Sequence, residues 1–99
     1  MTSLSSIALS GLQAAQLQMD SSAHNIANLN TEGFHRQTVE QQAVPDGGVR
    51  ASTRRADAAG SALAEDLVNQ VAAGYAYKAN LRVIETERRM AGALLDARA

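Results

Sequence analysis

Asp20 and His24 stand four residues apart, a spacing that sets a carboxylate and an imidazole on adjacent turns of one helix face. Such a pair can orient an imidazole for general-base work when a nucleophile or second base lies within reach. No recognisable motif supplies one. His24 and His35 are eleven positions apart with Glu32 between them, which matches neither a helical zinc pair nor a zinc-finger spacing. Gly47-Gly48 lacks the flanking G-x-x-x-x-G-K of a phosphate loop and reads as a turn. Arg54-Arg55 and Arg88-Arg89 are basic doublets without interleaved aromatics, the signature of solvated or ion-paired surface and not of a nucleic-acid contact. Tyr75 and Tyr77 fall on different helix faces and form no stacking platform. The residues capable of chemistry therefore describe no enzyme: no catalytic residue, metal ligand or cofactor is expected.

Composition narrows the classes further. The 99 residues suffice for one domain. Aromatics make up only 3% of the chain, and alanine dominates the apolar 45%, which suits close helix–helix contact better than a thick globular core. Cysteine is absent, so disulfides and thiolate metal sites are excluded. A net charge of -1 argues against nucleic acid or an anionic membrane surface as the main partner. No stretch approaches the roughly 18 apolar residues of a membrane span, and the N-terminus lacks the basic and unbroken apolar regions of a signal peptide. Residues 1–31 carry a single charged side chain, Asp20, whereas every Lys and Arg lies at Arg36 or beyond. A solvated helix shows a charged outer face; one enclosed on most sides avoids charge because an unpaired charge is costly there.

The elements follow from periodicity. Leu4, Ala8, Leu12, Ala15, Met19, Ala23 and Ile26 recur every three or four positions and predict a helix from about Ser3 to Asn28, capped by Ser3 or Thr2. Ile7, Leu9 and Leu17 fall off that face, which calls for contact on a second side. From His35 to Arg55 the helical period disappears. "RQTVEQQAV" and "GVRAST" are β-prone runs separated by the turn signal "PDGG", and they predict a hairpin followed by a small-residue linker, "RADAAGSA". A second, longer helix is expected from Ser61, its cap, to Arg98, with Glu65 and Asp66 in its first turns. It carries two apolar stripes. One is Val68, Ala72, Tyr75, Ala79, Val83, Thr86, Met90 and Leu94, assigned to the first helix; the other is Tyr77, Leu81, Ile84, Arg88, Ala91 and Leu95, left for other subunits. The expected fold is mainly α: long N- and C-terminal helices in an antiparallel, coiled-coil-like pair, with a small β-hairpin between them. Residues 1–34 form the first helix and turn, 35–60 the hairpin and linker, and 61–99 the second helix, together one domain.

One stretch remains unexplained by periodicity. "AHNIANLNTEGF", residues 23–34, places three asparagines and a histidine at a helix end. Asn is poor inside a helix because its amide competes for nearby backbone groups. These amides are read as clips, hydrogen-bonding the turn and adjacent backbone where charge would be too costly. Gly33 is expected at positive φ, and Phe34 is available to plug a nearby apolar gap.

The longer stretch "SSAHNIANLNTEGFHRQ" resembles the N-terminal signature of the bacterial flagellar axial proteins, the rod, hook and hook-associated family, and most closely a rod protein. There a serine- and asparagine-rich helix end runs into an Asn-Thr-Pro-Gly-Phe-like turn. Ser22, Asn25, Ile26, Ala27, Asn28, Asn30, Thr31, Gly33 and Phe34 match it. "DLVNQVAAGYAYKANLRVIETERRMAGALL" is similar to the family's C-terminal helix, with Val68, Asn69, Tyr77, Ala79, Asn80, Val83, Thr86, Met90 and Leu94 at matching positions. Glu32 stands where the family usually has Pro; Gly33 keeps the demanding third position of a type II turn, so the turn is expected to persist with less rigidity. The middle is also short, with room only for the hairpin where larger relatives insert outer domains.

The resemblance implies a structural subunit of the flagellar basal body, spanning the periplasm, exported through the flagellar type III apparatus without a cleaved signal. It implies terminal helices that pack side by side in a helical assembly, with other axial subunits and copies of itself as partners. Such heterologous contacts suit an open assembly. The assembly motif would be Ser22, Asn25, Ile26, Asn28, Asn30, Thr31, Gly33 and Phe34. Helix-pair and subunit contacts would use Leu12, Met19, Val68, Tyr75, Tyr77, Ala79, Asn80, Leu81, Val83, Ile84, Met90, Leu94 and Leu95. The alternative is a soluble helical adaptor that binds axial proteins without polymerising.

Overall fold

A computed structural model describes residues 4–45 and 47–98. Two helices and one hairpin account for most of them: α1 Leu4–Ala27, β1 Gln37–Ala43, β2 Val49–Arg55 and α2 Leu63–Arg98. The expected caps Thr2 and Ser3 of α1 lie outside the described residues. At the start of α2 the Asp66 N–H donates to the Ala62 carbonyl at 2.9 Å. Ala62 is therefore the cap position, and Ser61, expected to fill it, stands one residue earlier.

The helices run antiparallel, and small residues let them approach. Along α1 the seam is Ala8, Gly11, Ala15, Gln18, Ser22 and Asn25, at alternating steps of three and four. Its counterpart on α2 is Asp66, Gln70, Ala73, Tyr77, Asn80, Ile84 and Glu87. Three contacts set the register: Asn25 bonds Asp66, Asn80 lies against Gly11, and the Ser5 hydroxyl donates to Glu87. A Cβ on Gly11 would fall 2.5 Å from Asn80 Oδ1, so a larger residue there would have to turn the Asn80 amide aside.

The hairpin packs on an adjoining side of α1. β1 and β2 pair antiparallel, from Gln37 opposite Arg55 to Ala43 opposite Val49. Val39, Val49 and Ala51 share one face and are half-buried; Thr38, Glu40, Gln42, Arg50, Ser52 and Arg54 make the polar outer face. The Ser10 hydroxyl accepts from the Val49 N–H at 3.0 Å, and Ile7 sits under Gly47. Leu17 also belongs to this side, whereas Leu9 stays half exposed. The second face that Ile7 and Leu17 called for is thus the hairpin.

The molecule measures 64 × 25 × 13 Å, so its thinnest dimension is about one helix diameter. A body that thin leaves little room for large apolar side chains. Among the described residues the buried apolar ones are all alanines: Ala8, Ala14, Ala15 and Ala73.

Candidate functional site

The asparagine-rich helix end forms a polar joint between α1, the start of β1 and α2. Asn25, 3% exposed, faces the start of β1. Its Nδ2 donates to the Gln37 carbonyl and its Oδ1 accepts from the Gln37 N–H, both at 2.8 Å. One amide thus imitates a strand neighbour for the first residue of β1. The same Nδ2 also donates to Asp66 Oδ1 at 3.2 Å. Asp66 is 1% exposed and receives Arg36 as well, through Nη2 at 2.5 Å and Nε at 3.4 Å. Glu65 adds a looser contact to Arg36 at 3.7 Å. The hydrogen bond to Asp66 raises the pKa of Arg36 above its ordinary value, against the opposing effect of burial. The sign follows: a raised pKa on a cation stabilises the fold below its unfolded value, and the gain is lost only as pH rises through the folded one. Arg36 therefore contributes a constant cation across the neutral range.

The turn is built beside this joint. Asn28 Nδ2 donates back to the His24 carbonyl at 2.8 Å, and its Oδ1 accepts from the Thr31 hydroxyl at 3.2 Å. The Phe34 N–H donates to the Thr31 carbonyl at 3.3 Å across Glu32-Gly33, with Gly33 at φ 73°. That is the positive φ a type II turn needs at its third position, reached with Glu32 in place of proline. Phe34 is half-buried against the His24 ring, centroids 5.4 Å apart. His24 therefore serves as a packing surface, while Asp20 accepts from Gln16 at 2.9 Å. The Gly60 N–H reaches the Phe34 carbonyl at 3.0 Å, tying the linker to the turn.

The motif residues divide accordingly. Asn25, Asn28, Thr31, Gly33 and Phe34 are brought together, and Ser22 is buried in the adjacent seam with Ile26 half-buried nearby. Asn30 is exposed. Two participants escaped the sequence reading. Arg36 lay in a stretch read only as β-prone, and Asp66 passed for a first-turn acid. Their separation of thirty residues leaves no local signal; the only clue was an acid at a position in register with the helix seam.

The face assignment of α2 is corrected by the structure. Val68, Tyr75, Met90 and Leu94, on the stripe assigned to α1, are 66%, 70%, 62% and 67% exposed, and Ala79 is exposed with them. Tyr77 and Ile84, assigned to other subunits, are half-buried on the seam with Asn80. Leu12, Met19 and Val83 are half-buried, while Leu81 and Leu95 face out. The reason is register. The joint at Asp66 and the approach of Asn80 to Gly11 rotate a polar stripe inward, leaving the more apolar one in solvent.

Residues 6–35, under a third of the chain, match the protein family described as Flagella basal body rod protein, and the match covers most of α1 and the turn after it. No curated protein sequence matches the chain significantly.

Proposed function

We propose that this chain, whose N-terminal helix and turn are those of a flagellar basal body rod-type protein, is a structural axial subunit that assembles through the outward face of α2. The single observation carrying this reading is the inverted amphipathicity of α2: its polar stripe faces α1, and Val68, Val71, Tyr75, Met90 and Leu94 face solvent. At roughly 25 cal/mol per Å2 of apolar surface, a neighbour covering these side chains would gain several kcal/mol that the isolated chain forgoes. The joint at Asn25 and the turn at Gly33 hold α1, the hairpin and α2 in one orientation, so the stripe is presented rigidly. Export through the flagellar type III apparatus and contact with other axial subunits belong to this proposal; catalysis has no part in it.

Purified hook–basal bodies provide the test. The parent chain is expected to co-purify with them, and Tyr75→Asp is expected to be lost from them while retaining parental helix content. If Tyr75→Asp incorporates as the parent does, the outward face is not the assembly face. If the parent itself is absent from basal bodies yet binds isolated axial proteins, it is an adaptor.

A further inference from the structure

The hairpin covers one side of the helix pair and leaves the other bare. On α2 the hairpin side is Glu65, Asn69, Ala72 and Ala76, which border the hollows beneath β1. Half a helical turn away lie Leu67, Gly74 and Leu81, seven residues apart. Leu67 and Leu81 are 48% and 41% exposed. On α1 the hairpin side is Ile7, Ser10, Ala14 and Leu17. The side away from it presents Leu12, Met19 and Ile26, again seven apart and half-buried.

The register that joins Asn25 to Asp66 and Gly11 to Asn80 sets these residues in three rows. Leu12 stands beside Leu81, Met19 beside Gly74, and Ile26 beside Leu67. The rows carry no charge, and Asp20 and Lys78 stand on the outer rims. The middle row is uneven. Met19 is long, whereas a Cβ on Gly74 would meet nothing within 4 Å. Glycine weakens a helix interior relative to alanine, and no contact within the chain calls for it here. The row therefore holds a knob next to a gap.

We infer that a second copy of this chain covers this face, related by a two-fold axis parallel to the helices. Each α1 then lies antiparallel on the other copy's α2, and each row crosses its own counterpart. Met19 enters the gap over the partner's Gly74, while Leu12 and Ile26 meet the partner's Leu81 and the partner's Leu67. The face supplies both knob and gap, so it is complementary to itself, as an isologous contact requires. The product is a four-helix bundle with both hairpins outside. With 24 residues α1 is about 36 Å long, and two packed helices are about 20 Å wide, giving about 700 Å2 per copy. The total of about 1,400 Å2 is what stable, specific interfaces bury. This contact closes on itself and goes beyond the open assembly through Val68, Tyr75, Met90 and Leu94, which lie on other sides of α2.

Sedimentation equilibrium of the full chain carrying Tyr75→Asp tests it, since that change silences the outward assembly face and leaves this one intact. Expected is a monomer–dimer equilibrium with no larger species. Gly74→Leu, added to it, meets open space in the monomer but fills the gap, and should weaken the dimer by about tenfold or more at unchanged helix content. Adding Met19→Ala moves the knob to α2 and should restore most of the affinity. If Gly74→Leu loses helix content, Leu81→Lys replaces it and should weaken the dimer as much. A Tyr75→Asp chain that stays monomeric, a dimer indifferent to Gly74→Leu or Leu81→Lys, or no recovery with Met19→Ala would each overturn the inference.

Discussion

At the residue scale the joint concentrates its connections in Asn25. Its side chain serves both backbone groups of Gln37 and touches Asp66, and no other side chain offers a donor and an acceptor in that geometry. Asn25→Ala would leave the Gln37 N–H and C=O without partners at a half-buried position. The expected loss is about 2–3 kcal/mol by urea unfolding, the desolvation cost of two orphaned groups. Asn30→Ala, in the same motif but exposed, should stay within about 0.5 kcal/mol of the parent. Equal effects of the two would mean that the motif acts as a generic polar helix end.

At the scale of elements, α2 decides how the molecule behaves, because its two sides carry opposite tasks. Ile84 lies on the half-buried seam and Ala79 on the exposed side. Ile84→Asp places a carboxylate against α1 and should cost roughly 2–4 kcal/mol, read as a lower melting temperature. Ala79→Asp should leave the melt within about 0.5 kcal/mol of the parent and impair assembly instead. A melt lowered by Ala79→Asp and untouched by Ile84→Asp would reverse the faces described above. The hairpin is a different sort of element: it buries little of its own and serves to cover the Ile7–Leu17 side of α1.

For the whole molecule, thinness is the dominant fact. In a body 13 Å across the buried apolar side chains among the described residues are all alanines, and two-stranded sheets and isolated helix pairs are marginal in water. The isolated chain is expected to show helicity that falls on hundredfold dilution, as followed by circular dichroism, because the outward stripe recovers its burial only between molecules. A helix signal and melting temperature unchanged over that range would mean that the alanine seam and the Asp66 joint suffice alone.

The sequence by itself determined the local architecture: two helices from their periods, the hairpin from "PDGG" between β-prone runs, and the positive φ of Gly33 from its place in the turn. It also marked the asparagines as backbone clips, which Asn25 and Asn28 are. These features depend on residues near one another in the chain, where propensity and hydrogen-bonding capacity act directly. Only the tertiary structure decided which side of α2 turns inward. Periodicity ranks faces by hydrophobicity, and here the more apolar face loses. A buried Asp66 held by Arg36 and Asn25, together with Asn80 against Gly11, fixes the rotation of the helix, and these contacts join residues thirty to seventy positions apart. No period in a single helix reports on a partner that distant.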